Sequence, residues 1–218
     1  MKKIFLLSVI ISLLFLFIES KSQDVTCPPG WSAGTTEGSI INPNTNEQVD
    51  FTLHYCWTID ENGQIFVRLR GVVFYDKTKL TGMNLASAEL WNLFNELMLR
   101  EIANNPSSQI PPCDQNTTVV ISLQKVNCWH LQDLDAIFSS TFGYVNPNNS
   151  YLGLTPCNIW GAYCQTTYNV CWDYTTTPPS LTIVSTIPPL PLQVECPESS
   201  VPFDPNAPMS TECFSTCN

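Results

Sequence analysis

The side chains of this sequence that could do chemistry are few, and their spacing narrows them further. Two histidines occur, His54 and His130, and neither belongs to an H-E-x-x-H pair that would set two metal ligands on one helix face. No G-x-S-x-G turn is present to expose a serine nucleophile. Two acid pairs, Asp133 with Asp135 and Glu89 with Glu96, have the residue type that a glycosidase uses as acid and base. The same acids suit the solvated face of a helix, and Asp133-x-Asp135 lacks the remaining ligands of a calcium loop. A small carboxylate-dependent hydrolase is thus the third of three functional expectations, and no catalytic residue is assigned.

The ten cysteines are Cys27, Cys56, Cys113, Cys128, Cys157, Cys164, Cys171, Cys196, Cys213 and Cys217. An even count behind an export signal reads as a disulfide framework, which leaves no thiol for nucleophilic chemistry. Spacing does not give the connectivity. Only Cys213 and Cys217 have the short separation of a zinc knuckle, and an oxidising compartment favours disulfides, so neither metal nor cofactor is expected. Cys157, Cys164 and Cys171 recur every seven residues, but Gly161 and the β-rich stretch 166–174 speak against a helix that would align them. Three Cys-Trp dipeptides make Trp57, Trp129 and Trp172 candidate binding residues. On a strand, a buried cysteine turns its neighbour to the other face, where an indole could stack on a sugar or a partner protein. The alternative is a tryptophan that covers a disulfide.

The export signal is residues 1–22. Lys2 and Lys3 precede an apolar run over residues 4–18, broken only by Ser8 and Ser12, and Ser20 and Ser22 sit two apart before a cut that would leave Gln23 first. The run is shorter than the roughly 20 residues of a bilayer span, so no membrane span is expected after cleavage. This leader resembles bacterial secretory signals, a likeness confined to the leader. The expected location is secreted: extracellular, cell-surface or periplasmic.

Beyond residue 22 the chain keeps six basic and eighteen acidic residues, a net charge of −12. Such a balance offers no footprint for nucleic acid or anionic membrane, which need clustered Lys and Arg. The six cations all fall between Arg68 and Lys125. That distribution suits a surface that resists cleavage at basic residues or meets a cationic partner, or it is compositional drift in an acidic secreted protein.

The elements that would carry these residues come from periodicity. Residues 32–46 are rich in Gly, Thr, Ser and Asn and read as loop. Phe51, Leu53 and Tyr55 alternate with polar partners, residues 64–74 do the same, and Asn62-Gly63 between them predicts a hairpin. A helix is predicted over 84–104, capped by Asn84, with Leu90, Leu93, Phe94, Leu97 and Met98 as its apolar stripe, flanked by Trp91 and Ile102. A strand over 117–126, a short helix over 131–138, a loop over 144–161 and a hairpin of 166–174 with 181–187 follow. From Pro178 onward nine of the seventeen prolines occur, which implies an extended tail over 178–218. Leu190, Leu192 and Val194 alternate there and could pair with a partner; otherwise the tail is a strap over a sheet edge.

The expected fold is α+β: residues 23–177 form a disulfide-rich antiparallel sheet with one main helix, followed by the extended Pro-rich tail. The first functional expectation is a non-enzymatic structural or protein-interaction component of an extracellular or cell-surface assembly, either self-assembling or bound to another protein. The second is a glycan-binding or adhesive module using exposed aromatics.

Overall fold

The described residues form nine strands and one complete α-helix. The computed structural model describes residues 27–134, 151–157, 163–188, 196 and 213–216. The strands are β1 Ser32–Ile41, β2 Gln48–Ile59, β3 Ile65–Phe74, β4 Val119–Val126, β5 Cys128–Asp133, β6 Leu152–Pro156, β7 Tyr163–Asp173, β8 Ser180–Ile187 and β9 Phe214–Ser215. The helix, α1, spans Ala88–Asn104.

The β2–β3 hairpin forms as its alternation dictates. Ile65, Val67 and Leu69 are buried while Phe66, Arg68 and Arg70 turn to the other face. Its turn is tied by Asp60, whose carboxylate accepts the amides of Asn62 at 2.9 Å and Gln64 at 2.8 Å, and Gly63 supplies the positive φ of 77°.

β3 then organises everything else. One edge pairs with β2 along its whole length. The other edge is shared: Ile65 to Arg68 pair with β4, and Val72 to Phe74 pair with β6. The sheet therefore forks at β3, with β4, β7 and β8 on one branch and β6, β5 and β9 on the other. The β3–β4 pair is parallel, the one departure from the antiparallel expectation among the described strands.

Three local expectations are overturned. Residues 32–41 are a strand and not a loop, antiparallel to β2 throughout. The signal was hidden because β1 packs by closeness of backbone and not by large side chains. A Cβ on Gly34 would lie 2.5 Å from the Tyr55 ring, and one on Gly38 would lie 2.5 Å from Leu97 Cδ1. Leu131 to Asp133 belong to β5, because they pair in register with β6, and helical backbone starts only at Leu134; residues 135–138 lie outside the described residues. Residues 152–156 are that partner strand and not loop, the close packing of Leu134 on Gly153 taking the place of an alternating pattern.

The helix begins later than predicted. Ser87 is the N-cap, its hydroxyl accepting from the Leu90 amide at 3.3 Å, while the Asn84 side chain caps the preceding turn at Ala86. Its buried face is also rotated from the predicted stripe: Trp91 and Ile102 are each 1% exposed, whereas Leu93 and Leu97 are only half-buried. Phe94 stacks edge-on to Phe51 at 5.0 Å, and Trp91 meets Trp129 at 5.1 Å. Both indoles are satisfied as buried N–H donors, Trp91 to the Leu85 carbonyl at 2.9 Å and Trp129 to that of Val126 at 2.7 Å.

Four disulfides lie among the described residues: Cys27–Cys56, Cys113–Cys171, Cys128–Cys196 and Cys157–Cys213. Cys164 is disulfide-bonded as well, and Cys217 lies outside the described residues. The bonds at Cys196 and Cys213, with β9 paired to β5, fasten the end of the chain to the second branch. Leu190, Leu192 and Val194 lie outside the described residues, as does most of the Pro-rich tail.

Candidate functional site

The three nominated tryptophans go to three different environments. Trp57 packs half-buried against the core. Trp129 is 0% exposed in the core, so it presents no face to a ligand. Here the alternation argument runs in reverse, because the half-buried Cys128 faces outward and its indole points in. Trp172 lines an open groove.

The other candidates do not converge. His54 is on β2 and His130 on β5, with β3 and β6 between them. Burial lowers the pKa of both, and His130 Nε2 lies 2.9 Å from Thr155 Oγ1. Asp133 is engaged by Lys77 Nζ at 3.0 Å, and Asp135 lies outside the described residues. Glu96 pairs with Arg100 at 2.8 Å on the exposed helix face, one turn apart. Among the described residues no group of three His, Cys, Asp or Glu is placed to hold a metal ion. No described helix is long and apolar enough to cross a membrane.

What the fold does assemble is a groove of about 550 Å³ between α1 and the β7–β8 hairpin. That volume is within the range of about 300–1,000 Å³ typical of ligand clefts. Its floor follows from strand register. Tyr168, Val170 and Trp172 are two apart on β7, and Trp172 pairs with Leu181 and Val170 with Ile183 on β8, so all turn toward the helix. Tyr168, Trp172, Leu181 and Ile183 line the groove, and Asn92, Glu96, Arg100 and Asn104 from α1 form its polar wall. Burial raises the Tyr168 pKa, opposed by hydrogen bonds with Asn95 and Thr166, so this phenol stays a neutral donor at physiological pH.

Trp172 is held from behind. Its amide donates to the Pro111 carbonyl at 2.8 Å, and the neighbouring Cys171 is bonded to Cys113. The hairpin turn is closed by Asp173, which accepts the Thr175 hydroxyl at 2.6 Å and its amide at 2.8 Å; these bonds lower the Asp173 pKa.

The groove's outer rim is β8, the last strand of its branch. Ser180–Ile187 contains no charged residue and no proline, and Ile183, Val184 and Ile187 are 47%, 58% and 58% exposed. Proteins ordinarily protect such an edge with Lys, Pro or a covering element. None of these is found on β8 among the described residues. A one-residue bulge at Val184 shifts the register between Asn169 and Val170, yet pairing with β7 continues on both sides of it.

Sequence reasoning found Trp172 but not its neighbours. Tyr168 and Ile183 had a legible signal in their period-two spacing, whereas the helix wall required tertiary placement. No protein-family model matches this chain, and no curated protein or solved structure does so either. The site therefore rests on its own geometry.

Proposed function

We propose that this protein is a secreted, non-enzymatic interaction component of an extracellular or cell-surface assembly, and that it takes up an extended segment of its partner along β8. The observation that carries this reading is an uncharged edge strand with three exposed aliphatic side chains, running beside a groove with an aromatic floor. A strand added to such an edge gains main-chain hydrogen bonds, and every second side chain enters the adjoining pocket. The four disulfides support the location, since such bonds persist in oxidising compartments. One of them, Cys113–Cys171, anchors β7, the strand against which β8 is paired.

The test is native mass measurement of the oxidised protein from its source, paired with amide hydrogen exchange on β8. The expected result is a defined homo- or hetero-complex in which the β8 amides are protected, and a monomer with exposed β8 amides for Ile183→Lys. Ile183 is half-exposed, so the substitution leaves the fold intact while setting a charge at the rim. A wild-type monomer whose β8 amides exchange as fast as those of Ile183→Lys overturns the proposal.

A further inference from the structure

The sheet face opposite α1 carries a second constellation, independent of the β8 edge. Arg68 projects there from β3, and its guanidinium carbon sits 4.2 Å from the Tyr163 ring centroid and 4.9 Å from that of Trp31. Gln124 Oε1 accepts from both Arg68 Nε at 3.2 Å and Nη2 at 3.0 Å. Gln124 then donates to Gln165 Oε1 at 3.0 Å on the exposed surface of β7. The cation is thus fixed in orientation between two rings and continued by a row of amides.

Trp31 is placed by covalent means. The Cys27–Cys56 disulfide joins the N-terminal turn to the residue that pairs with Arg68, and the Trp31 amide closes that turn on the Pro28 carbonyl at 3.0 Å. The tryptophan is held over the sheet before any ligand arrives.

The charge distribution points the same way. β3, β4, β7 and β8 contain one acid between them, Asp173 at the end of β7, although acids outnumber bases three to one beyond residue 22. Arg68 and Arg70 share the outer face of β3, and among the described residues neither makes a salt bridge with a carboxylate. Two arginines without a carboxylate partner among the described residues, on a group of strands whose single acid is Asp173, select an anion. The flanking indole and phenol suit the C–H face of a pyranose ring, and the amides suit paired hydroxyls.

We infer that this face binds an acidic saccharide, a chain of uronic-acid units, with Arg68 engaging a carboxylate and Trp31 and Tyr163 flanking the sugar rings. The test is calorimetric titration of the oxidised protein with a hexamer of galacturonic acid and with the same hexamer methyl-esterified. The acidic hexamer is expected to bind and the ester to bind at least tenfold more weakly. Arg68→Met should weaken binding of the acid by about 10- to 100-fold, the range for losing a charge-assisted hydrogen bond. Gln165→Glu, at an exposed site, should weaken it by repulsion without disturbing the fold. Ile183→Lys, which faces the other side of the sheet, should bind the hexamer as wild type does, so this inference and the strand-capture reading fail separately. Equal binding of acid and ester, no binding of either, or full binding by both Arg68→Met and Gln165→Glu overturns the inference.

Discussion

Replacing Cys113 and Cys171 together by alanine tests how the groove floor is held. The bond spans 58 residues of sequence. A loop of that length, closed in the unfolded chain, stabilises the native state by about 4 kcal/mol through lost chain entropy. The Cys128–Cys196 bond already offers a shorter path between the two positions, but the dependence on length is logarithmic and the correction is only a few tenths of a kcal/mol. Against a net stability on the order of 5–15 kcal/mol, the loss is large. It corresponds to a fall of about 8–16 °C in Tm for a chain of this size. The assay is urea unfolding of the oxidised proteins followed by tryptophan fluorescence, with the midpoint falling and the slope m rising as the unfolded chain expands. A loss below about 1 kcal/mol, or an unchanged m, would refute the reasoning, because the unfolded chain would then already be confined without the bond.

Lys125 sits 5.0 Å over the Trp91 ring, and burial lowers its pKa to about 8 from 10.5. Between those values the unfolded lysine holds a proton that the folded one has released, so stability should rise as pH climbs from about 8 to 10.5. Lys125→Met should gain on the order of 2 kcal/mol at pH 7 and lose that advantage above pH 10.5, measured by denaturation at both pH values. Tyr55 is the opposite case: burial, then the charge of Glu101, pushes its pKa up to about 12 from 10.0. Stability should therefore fall as pH rises above 10, Tyr55→Phe should flatten that limb, and ultraviolet titration should lose one late-ionising phenol in that variant. Gly38→Ala should cost about 1–3 kcal/mol by driving a methyl into Phe51 and Leu97. Gly63→Ala, in open space but at a φ of 77°, should cost about 1 kcal/mol, and equal losses at the two sites would speak against the overpacking account.

Where alternation and turn chemistry agreed, the sequence could be read. The β2–β3 hairpin announced itself through Phe51, Leu53 and Tyr55 with Asn62-Gly63, and β7–β8 through the Thr-Pro-Pro-Ser turn. The helix was legible because Leu90, Phe94 and Met98 repeat at its period, though not its rotation, which Trp129 decides by stacking on Trp91. β1 and β6 were illegible for one reason: Gly34, Gly38 and Gly153 bury neighbours by having no side chain, and composition reads glycine as loop. The candidate site was half-legible. Trp172 drew attention, but an edge strand becomes an edge only once the sheet order is known. Arg68 looked like one more scattered cation until the Cys27–Cys56 bond brought Trp31 over it.

The pairing of β9 with β5 sets a timetable for making this protein. Trp129 aligns with Phe214, which is 4% exposed, and the Thr216 amide closes on the Asn127 carbonyl at 3.0 Å. The residues that seal this side of the core are thus made about 85 positions after the tryptophan they cover. At synthesis rates of about 5–20 residues per second, Trp129 waits roughly 4–17 s for its lid. A growing chain cannot complete this core early, however favourable its first hairpin. The last described strand and the cysteine bonds beside it act as a latch thrown only once residues 213–215 have been made.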